Sequence, residues 1–276
     1  MPSVAVLSVC DNEAEIDLLF NICYNELKTS RKSRRSAMKI LASGIHIDDI
    51  EYGMGGIVAL LSKMGHEVLC LTPKPYQHYK GRNATADAQS MRGAEVLGAK
   101  KLILDYSGPK YYKATDESVR ACEAVIRDFA PDIIFIMDPK DNHIEHAECA
   151  KAMREAIFAA AVDGVCPNEI YTYETGMLQS SCYFCPDIYI DVTEAEQQMK
   201  DSMYAFSVEH TGAERLWREK EYTARFRGLA SNFALAEGLR IFKFPKNGND
   251  FLLRTLFAGK FRWSGTDMYY PVSGLE

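Results

Sequence analysis

From residue 38 onward the chain alternates two kinds of hydrophobic pattern. MKILASGI (38–45), HEVLCLT (66–72), KLILDYS (101–107) and PDIIFIMDP (131–139) are compact apolar runs, the pattern of strands covered on both faces. Between them lie segments with helical spacing: MGGIVALLSKMG (54–65), residues 84–97, DESVRACEAVIRDFA (116–130) and HIEHAECAKAMREAIFAAA (143–161). Asp116 is placed to cap the third of these. HIDDIEYG (46–53) is polar and reads as the loop leaving the first strand. This β-α-β-α order predicts an α/β, Rossmann-like fold with a largely parallel sheet and helices on both faces. Beyond residue 165 the regularity falls. CPNEIYTYE and DIYIDV suggest short strands, while TEAEQQMKDSMYAFSVEH and the stretch from Glu214 to Leu239 suggest helices.

Two parts follow from this pattern: an N-terminal extension, residues 1–36, and a domain over residues 37–276. The extension holds a strand-like PSVAVLSVC, an amphipathic NEAEIDLLFNICYNELK and the basic run KTSRKSRR, read as a solvated linker rather than an anion site.

Composition adds mainly exclusions. Of 276 residues, 47% are apolar and 25% charged, as in ordinary globular domains. A net charge of -6 argues against a nucleic-acid partner. No apolar run approaches the roughly 18 residues of a membrane span. The start, MPSVAVLSVCDNEAE, lacks a basic leader, so a cytoplasmic chain with reduced thiols is expected. Eight cysteines are present, and Cys182 and Cys185 form a C-x-x-C without a second such pair. With Cys166 upstream they read as incidental rather than as a zinc ribbon.

The candidate chemistry sits in two clusters, each directly after a buried strand. One is His46-Ile47-Asp48-Asp49; the other is Asp141-Asn142-His143-Ile144-Glu145-His146. In open α/β sheets the carboxyl ends of strands form the ligand crevice, so both clusters project to one edge. A catalytic zinc takes three protein ligands and keeps one position open. His46, Asp49 and His146 supply such a set, Asp48 is left as a general base, and His143 is available to face a reacting carbonyl.

HIDDIEYGMGG and DPKDNHIEHAECAKAMREA resemble the LmbE-like, or PIG-L, family of N-acetylglucosaminyl deacetylases, which includes the enzymes of bacillithiol and mycothiol synthesis. The resemblance extends from about Met38 to about Phe242. It implies a Zn2+-dependent hydrolase, with another divalent ion such as Fe2+ as a substitute. The reaction implied is removal of an N-acetyl group from an N-acetylglucosamine-type sugar or a related small amide. It implies His46, Asp49 and His146 as metal ligands, Asp48 as base, His143 as the polarising group, Asp141 as the residue that orients a histidine (His143), and a homo-oligomer. Ile47 and Ile144 stand where the family has prolines. LTPKPYQHYKGR replaces an acidic loop, and Ala86 and Gln89 replace an Arg/Glu-like pair. Lys74, Lys80 and Arg82 in that loop are candidate ligands for an anionic group on the substrate.

Three rivals are weaker. Gly53-Met54-Gly55-Gly56 hints at a dinucleotide loop, but Val58 occupies the third glycine position of the fingerprint. A non-haem iron enzyme could use a His/Asp/His site, but such enzymes usually stand on all-β scaffolds. A catalytically inactive sugar- or nucleotide-binding relative would not need Asp48.

Overall fold

The structure is a computed structural model that describes residues 37–74, 77–78, 81–105, 110–176, 184–206, 212–243 and 251–264. The extension 1–36 and Cys182 lie outside the described residues. In chain order the strands are β1 (Lys39–Ser43), β2 (Glu67–Thr72), β3 (Gln77–His78), β4 (Gly81–Arg82), β5 (Lys100–Ile103), β6 (Ile133–Met137), β7 (Glu169–Tyr173), β8 (Ile188–Asp191), β9 (Ala236–Lys243) and β10 (Phe261–Trp263). The helices are α1 (Asp49–Lys63), α2 (Ala84–Val96), α3 (Asp116–Phe129), α4 (Ile144–Val162), α5 (Glu196–Tyr204), α6 (Ala213–Ser231) and the short α7 (Leu252–Leu256).

Eight strands form one sheet in the order β10-β8-β9-β7-β6-β1-β2-β5, while β3 and β4 pair separately. The pairings of β5, β2, β1, β6 and β7 are parallel, and those around β9 and β10 are antiparallel. The most apolar runs take the centre: every residue of β6 is buried, as is every residue of β1 after Lys39. Burying an aliphatic side chain such as Ile40 or Ile134 stabilises by about 1.5–3 kcal/mol. β5, with Lys100 and Lys101, takes the edge, where charge discourages further pairing. α3 packs on α4, while α1, α2, α5 and α6 form a second packed group. Among the described residues no helix is long and apolar enough to cross a membrane.

Three sequence expectations change. The helix predicted from Glu214 to Leu239 ends at Ser231: Asn232 turns left-handed at φ 60°, and β9 follows, inserted between β7 and β8. The cap of α3 is Thr115, in a reciprocal capping box with Ser118, so Asp116 is the first helical residue rather than the cap. α1 starts at Asp49, five residues before the predicted start at Met54, and the pattern change at Met54 marks a break inside the helix (φ -140°, ψ 27°).

The break in α1 is filled from afar. The Gly56 and Ile57 amides donate to the two oxygens of Glu237 in β9, at 2.9 and 2.7 Å. Lys220 of α6 donates to the Gly53 carbonyl at 3.3 Å and pairs with Glu237. A Cβ on Gly53 would stand 2.5 Å from the Tyr173 ring and 2.6 Å from the Glu174 carbonyl oxygen. The glycines that suggested a dinucleotide loop therefore serve close packing within α1.

Candidate active site

β1 connects through α1 to β2 on one side, whereas β6 lies on the other side of β1 and leads outward to β7. The strand order thus reverses between β1 and β6, the switch point at which open α/β sheets form their crevice. The two strands are direct neighbours, with Ala42 opposite Phe135. This register brings together clusters about a hundred positions apart in the chain.

The loop after β1 is short and braced. Ile47 is buried, and its carbonyl accepts from Ser90 Oγ at 2.5 Å and Lys101 Nζ at 3.5 Å. Lys101 in turn pairs with buried Glu51 at 2.9 Å. Packing and these two donors hold the loop where the resembled family has a proline. Asp48 is the N-cap residue of α1, yet its side chain makes no capping hydrogen bond to the first turn. Asp49 folds back instead: its Oδ2 accepts the amides of Ile45 and His46 at 2.8 and 2.6 Å.

Three side chains converge on one point. His46 Nδ1 lies 3.1 Å from His146 Nε2, Asp49 Oδ2 3.4 Å from His46 Nδ1, and Asp49 Oδ1 3.4 Å from His146 Nε2. Ligands at zinc-like bond lengths around a tetrahedral ion stand about 3.4 Å apart, and each of these neighbouring donor pairs lies near that spacing. His143, the N-cap residue of α4, is exposed and stacks on His146 with centroids 4.4 Å apart. The three imidazoles also gather, with nitrogen atoms within 4.8 Å of one another. The set that includes buried Asp49 is tighter and carries a negative charge, which suits a dication better.

Each inward histidine is held from behind. His146 Nδ1 faces Thr175 Oγ1 at 2.9 Å and Asp141 Oδ2 at 3.2 Å, and Thr175 donates to that same Asp141 oxygen at 3.1 Å. His46 Nε2 faces Glu145 Oε2 at 3.3 Å. Outer carboxylates of this kind fix the tautomer and aim of a ligand ring. Asp141, expected to orient His143, is turned to the ring of His146 and meets His143 through the backbone amide at 2.7 Å. Glu145 and Thr175 were not singled out from the sequence. Glu145 lies inside the second motif, and Thr175 follows β7, whose carboxyl end shares the same edge.

The site is a well of negative potential. Burial opposes charge on His46, but Asp49, Glu145 and Asp48 hold its pKa at about 10. Burial likewise opposes charge on His146, and Asp49 with Asp141 raises it to about 9. The two imidazoles overcome burial to hold Asp49 well below the usual carboxylate range. Glu145, despite burial, is brought to about 2 by His46, the Tyr112 amide and Lys74. His143 moves the other way, lowered by burial and by the neighbouring imidazoles. A field that draws protons onto two histidines also favours a divalent cation between them.

The cationic loop divides. The Lys74 ammonium is buried against Glu145 Oε1 at 3.3 Å and the Lys110 carbonyl. Lys80 and the side chain of Arg82 lie outside the described residues. Cys185 is exposed, and Cys166 Sγ accepts from Lys243 Nζ at 3.1 Å.

Residues 41–157, which hold both clusters, match the family described as GlcNAc-PI de-N-acetylase, PIG-L. The match spans the segment that carries His46, Asp49, Asp141, His143 and His146. Solved structures share the fold of this chain. The 4-carboxy-2-hydroxymuconate hydratase GalB of Pseudomonas putida KT2440 is 21% identical, with TM-score 0.64 over 76% of this chain and 98% of that one. The N,N'-diacetylchitobiose deacetylase of Pyrococcus horikoshii is 20% identical, with TM-score 0.59 over 86% of this chain and 95% of that one. The zinc-inhibited form of teicoplanin deacetylase Orf2 is 14% identical, with TM-score 0.53 over 74% and 97%.

Proposed function

We propose that this chain is a PIG-L-like divalent-metal hydrolase that removes the N-acetyl group of an N-acetylglucosamine-type amino sugar or a related small amide. The observation that carries the reading is the approach of His46 Nδ1 to His146 Nε2 at 3.1 Å, with Asp49 facing both rings, Oδ2 toward His46 and Oδ1 toward His146, each at 3.4 Å. These three residues would hold the metal, Zn2+ or a substitute such as Fe2+. When bound, the ion acidifies a water molecule and polarises the acetyl carbonyl.

The chain's own groups do the rest. Asp48, next to the ligand Asp49 and not used as a helix cap, takes the proton of the attacking water and returns it to the leaving amine. His143 stands on the exposed side of His146 and donates a hydrogen bond to the oxygen that becomes negative. Asp141 and Thr175 keep Nδ1 of His146 outward and Nε2 inward. Lys80 and Arg82 are proposed to meet an anionic group on the substrate.

The test pairs composition with turnover. The purified chain is loaded with stoichiometric or excess Zn2+, or with Fe2+, and offered a panel of N-acetylated sugars, with loss of acetyl read by mass spectrometry. Elemental analysis of His46→Ala, Asp49→Ala and His146→Ala is expected to show most of the metal lost. Full retention of metal in all three, or no acetyl loss from any sugar, refutes the corresponding half of the proposal. A second reading, addition of water to an unsaturated acid, is favoured by the cations Lys80 and Arg82, which replace an acidic loop. The P. putida hydratase shows that this fold also serves a hydratase. Unsaturated dicarboxylates in the same panel, read for gain of water, separate the two.

A further inference from the structure

Lys74 lies just beyond the end of β2, where a loop cation would ordinarily reach into solvent. Instead its side chain is only 9% exposed, and its ammonium lies 3.3 Å from Glu145 Oε1. It also donates to the Lys110 carbonyl. A lysine ammonium is strongly hydrated, so burying one is costly unless its partners replace the water. The partners found here are part of the site. Glu145 Oε1 takes Lys74 and, at 2.7 Å, the Tyr112 amide, while Oε2 faces His46 Nε2 at 3.3 Å. That ring presents its other nitrogen, Nδ1, to His146 and Asp49.

We infer that Lys74 is a positioning residue: through Glu145 it fixes the imidazole of His46 so that Nδ1 is aimed at the metal position. The inference rests on the metal reading above, and it gives Lys74 a role different from binding the substrate. With the ammonium in place, Glu145 Oε1 is held by two donors, Lys74 and the Tyr112 amide, while Oε2 faces the His46 ring. Without it, one backbone amide and the His46 ring itself remain, and the ring loses a rigid support. The link also ties the segment 110–112 to the site, because the Lys110 carbonyl and the Tyr112 amide both engage it.

The experiment measures metal binding rather than turnover. Zn2+ affinity is read by competition with a chromogenic chelator, and ligand geometry by the visible spectrum of the Co2+-loaded full chain. Lys74→Met and Glu145→Gln are each expected to weaken Zn2+ binding about 10–100-fold and to shift the Co2+ bands. The double variant is expected to bind no more weakly than the worse single one, because both changes cut one link. Lys74→Arg is expected to restore most of the affinity. If Lys74→Met lowers the unfolding temperature but leaves affinity and spectrum unchanged, Lys74 only anchors the segment 110–112 and the inference falls. It falls also if the two losses add. Should Lys74→Met not fold, Lys74→Arg against Glu145→Gln decides, and equal affinities overturn the relay. A wild-type chain that binds neither ion removes the metal reading and the relay together. Metal binding without deacetylation leaves the relay standing and removes only the proposed reaction.

Discussion

The break in α1 sets up a sharp test of why a charged pair is buried there. Lys220 and Glu237 are almost fully buried, at 2% and 3% side-chain exposure. As a general rule, replacing a buried ion pair by apolar residues of similar volume is neutral or stabilising by about 1–4 kcal/mol. Here the pair has a second duty. Glu237 accepts two α1 amides just after the break at Met54, and Lys220 serves the Gly53 carbonyl. A buried amide that loses its acceptor costs about 1–3 kcal/mol, so two cost about 2–6 kcal/mol. That is a large part of a typical total stability of about 5–15 kcal/mol. Adding the Gly53 carbonyl makes three such groups, about 6 kcal/mol at mid-range, against a gain of about 2.5 kcal/mol from the apolar pair, so the double variant Lys220→Met/Glu237→Leu is predicted to be destabilised by about 3 kcal/mol. Glu237→Ala alone also leaves Lys220 uncompensated, at about 3–5 kcal/mol. Urea unfolding of the metal-free chain, followed by far-ultraviolet circular dichroism, measures both. A double variant within about 0.5 kcal/mol of the wild type would show that the amides do not depend on Glu237.

Asp48→Asn is expected to keep metal and fold while lowering kcat by about 10²–10⁴-fold, as loss of a general base does, and near wild-type turnover refutes its role. Lys80→Ala and Arg82→Ala are expected to raise KM for an anionic substrate and to leave a neutral N-acetyl sugar nearly unchanged; equal effects on both sink that assignment. Gly53→Ala is expected to lower the unfolding temperature, because its methyl group meets the Tyr173 ring and the Glu174 carbonyl at 2.5 and 2.6 Å, both part of a buried wall. The expected cost is about 1–3 kcal/mol, the usual range for overpacking, and an unchanged transition would show that α1 can shift.

The parallel half of the sheet was legible because its strands are covered on both faces and so read as unbroken apolar runs. β9 was not. ALAEGLRIF carries alanine, leucine and glutamate, which favour helices, and only its place between β7 and β8 makes it a strand. His46, Asp49, Asp141 and His146 were legible because polar clusters after buried strands point to one edge whatever the rest of the chain does. Glu145 was harder to read. Its neighbour His146 faces inward while Ile144 is exposed, and nothing in the spacing says that Glu145 would turn back to His46 and Lys74. Thr175 depends on where β7 ends, a boundary that the apolar pattern leaves loose.

The metal-ligand candidates hang from β1 and β6, neighbouring strands in the middle of the sheet, whereas Lys80 and Arg82 follow β2. Backbone amides of β1 and β6 such as Leu41 and Ile134 are fully buried, so their hydrogens should exchange with solvent only when the whole domain opens. The two strands that carry the clusters are then expected to be as durable as the domain itself. Lys80 and Arg82 lie outside those two strands. Substitutions at Lys80 and Arg82 are therefore expected to leave the geometry of the His46, Asp49 and His146 cluster unchanged.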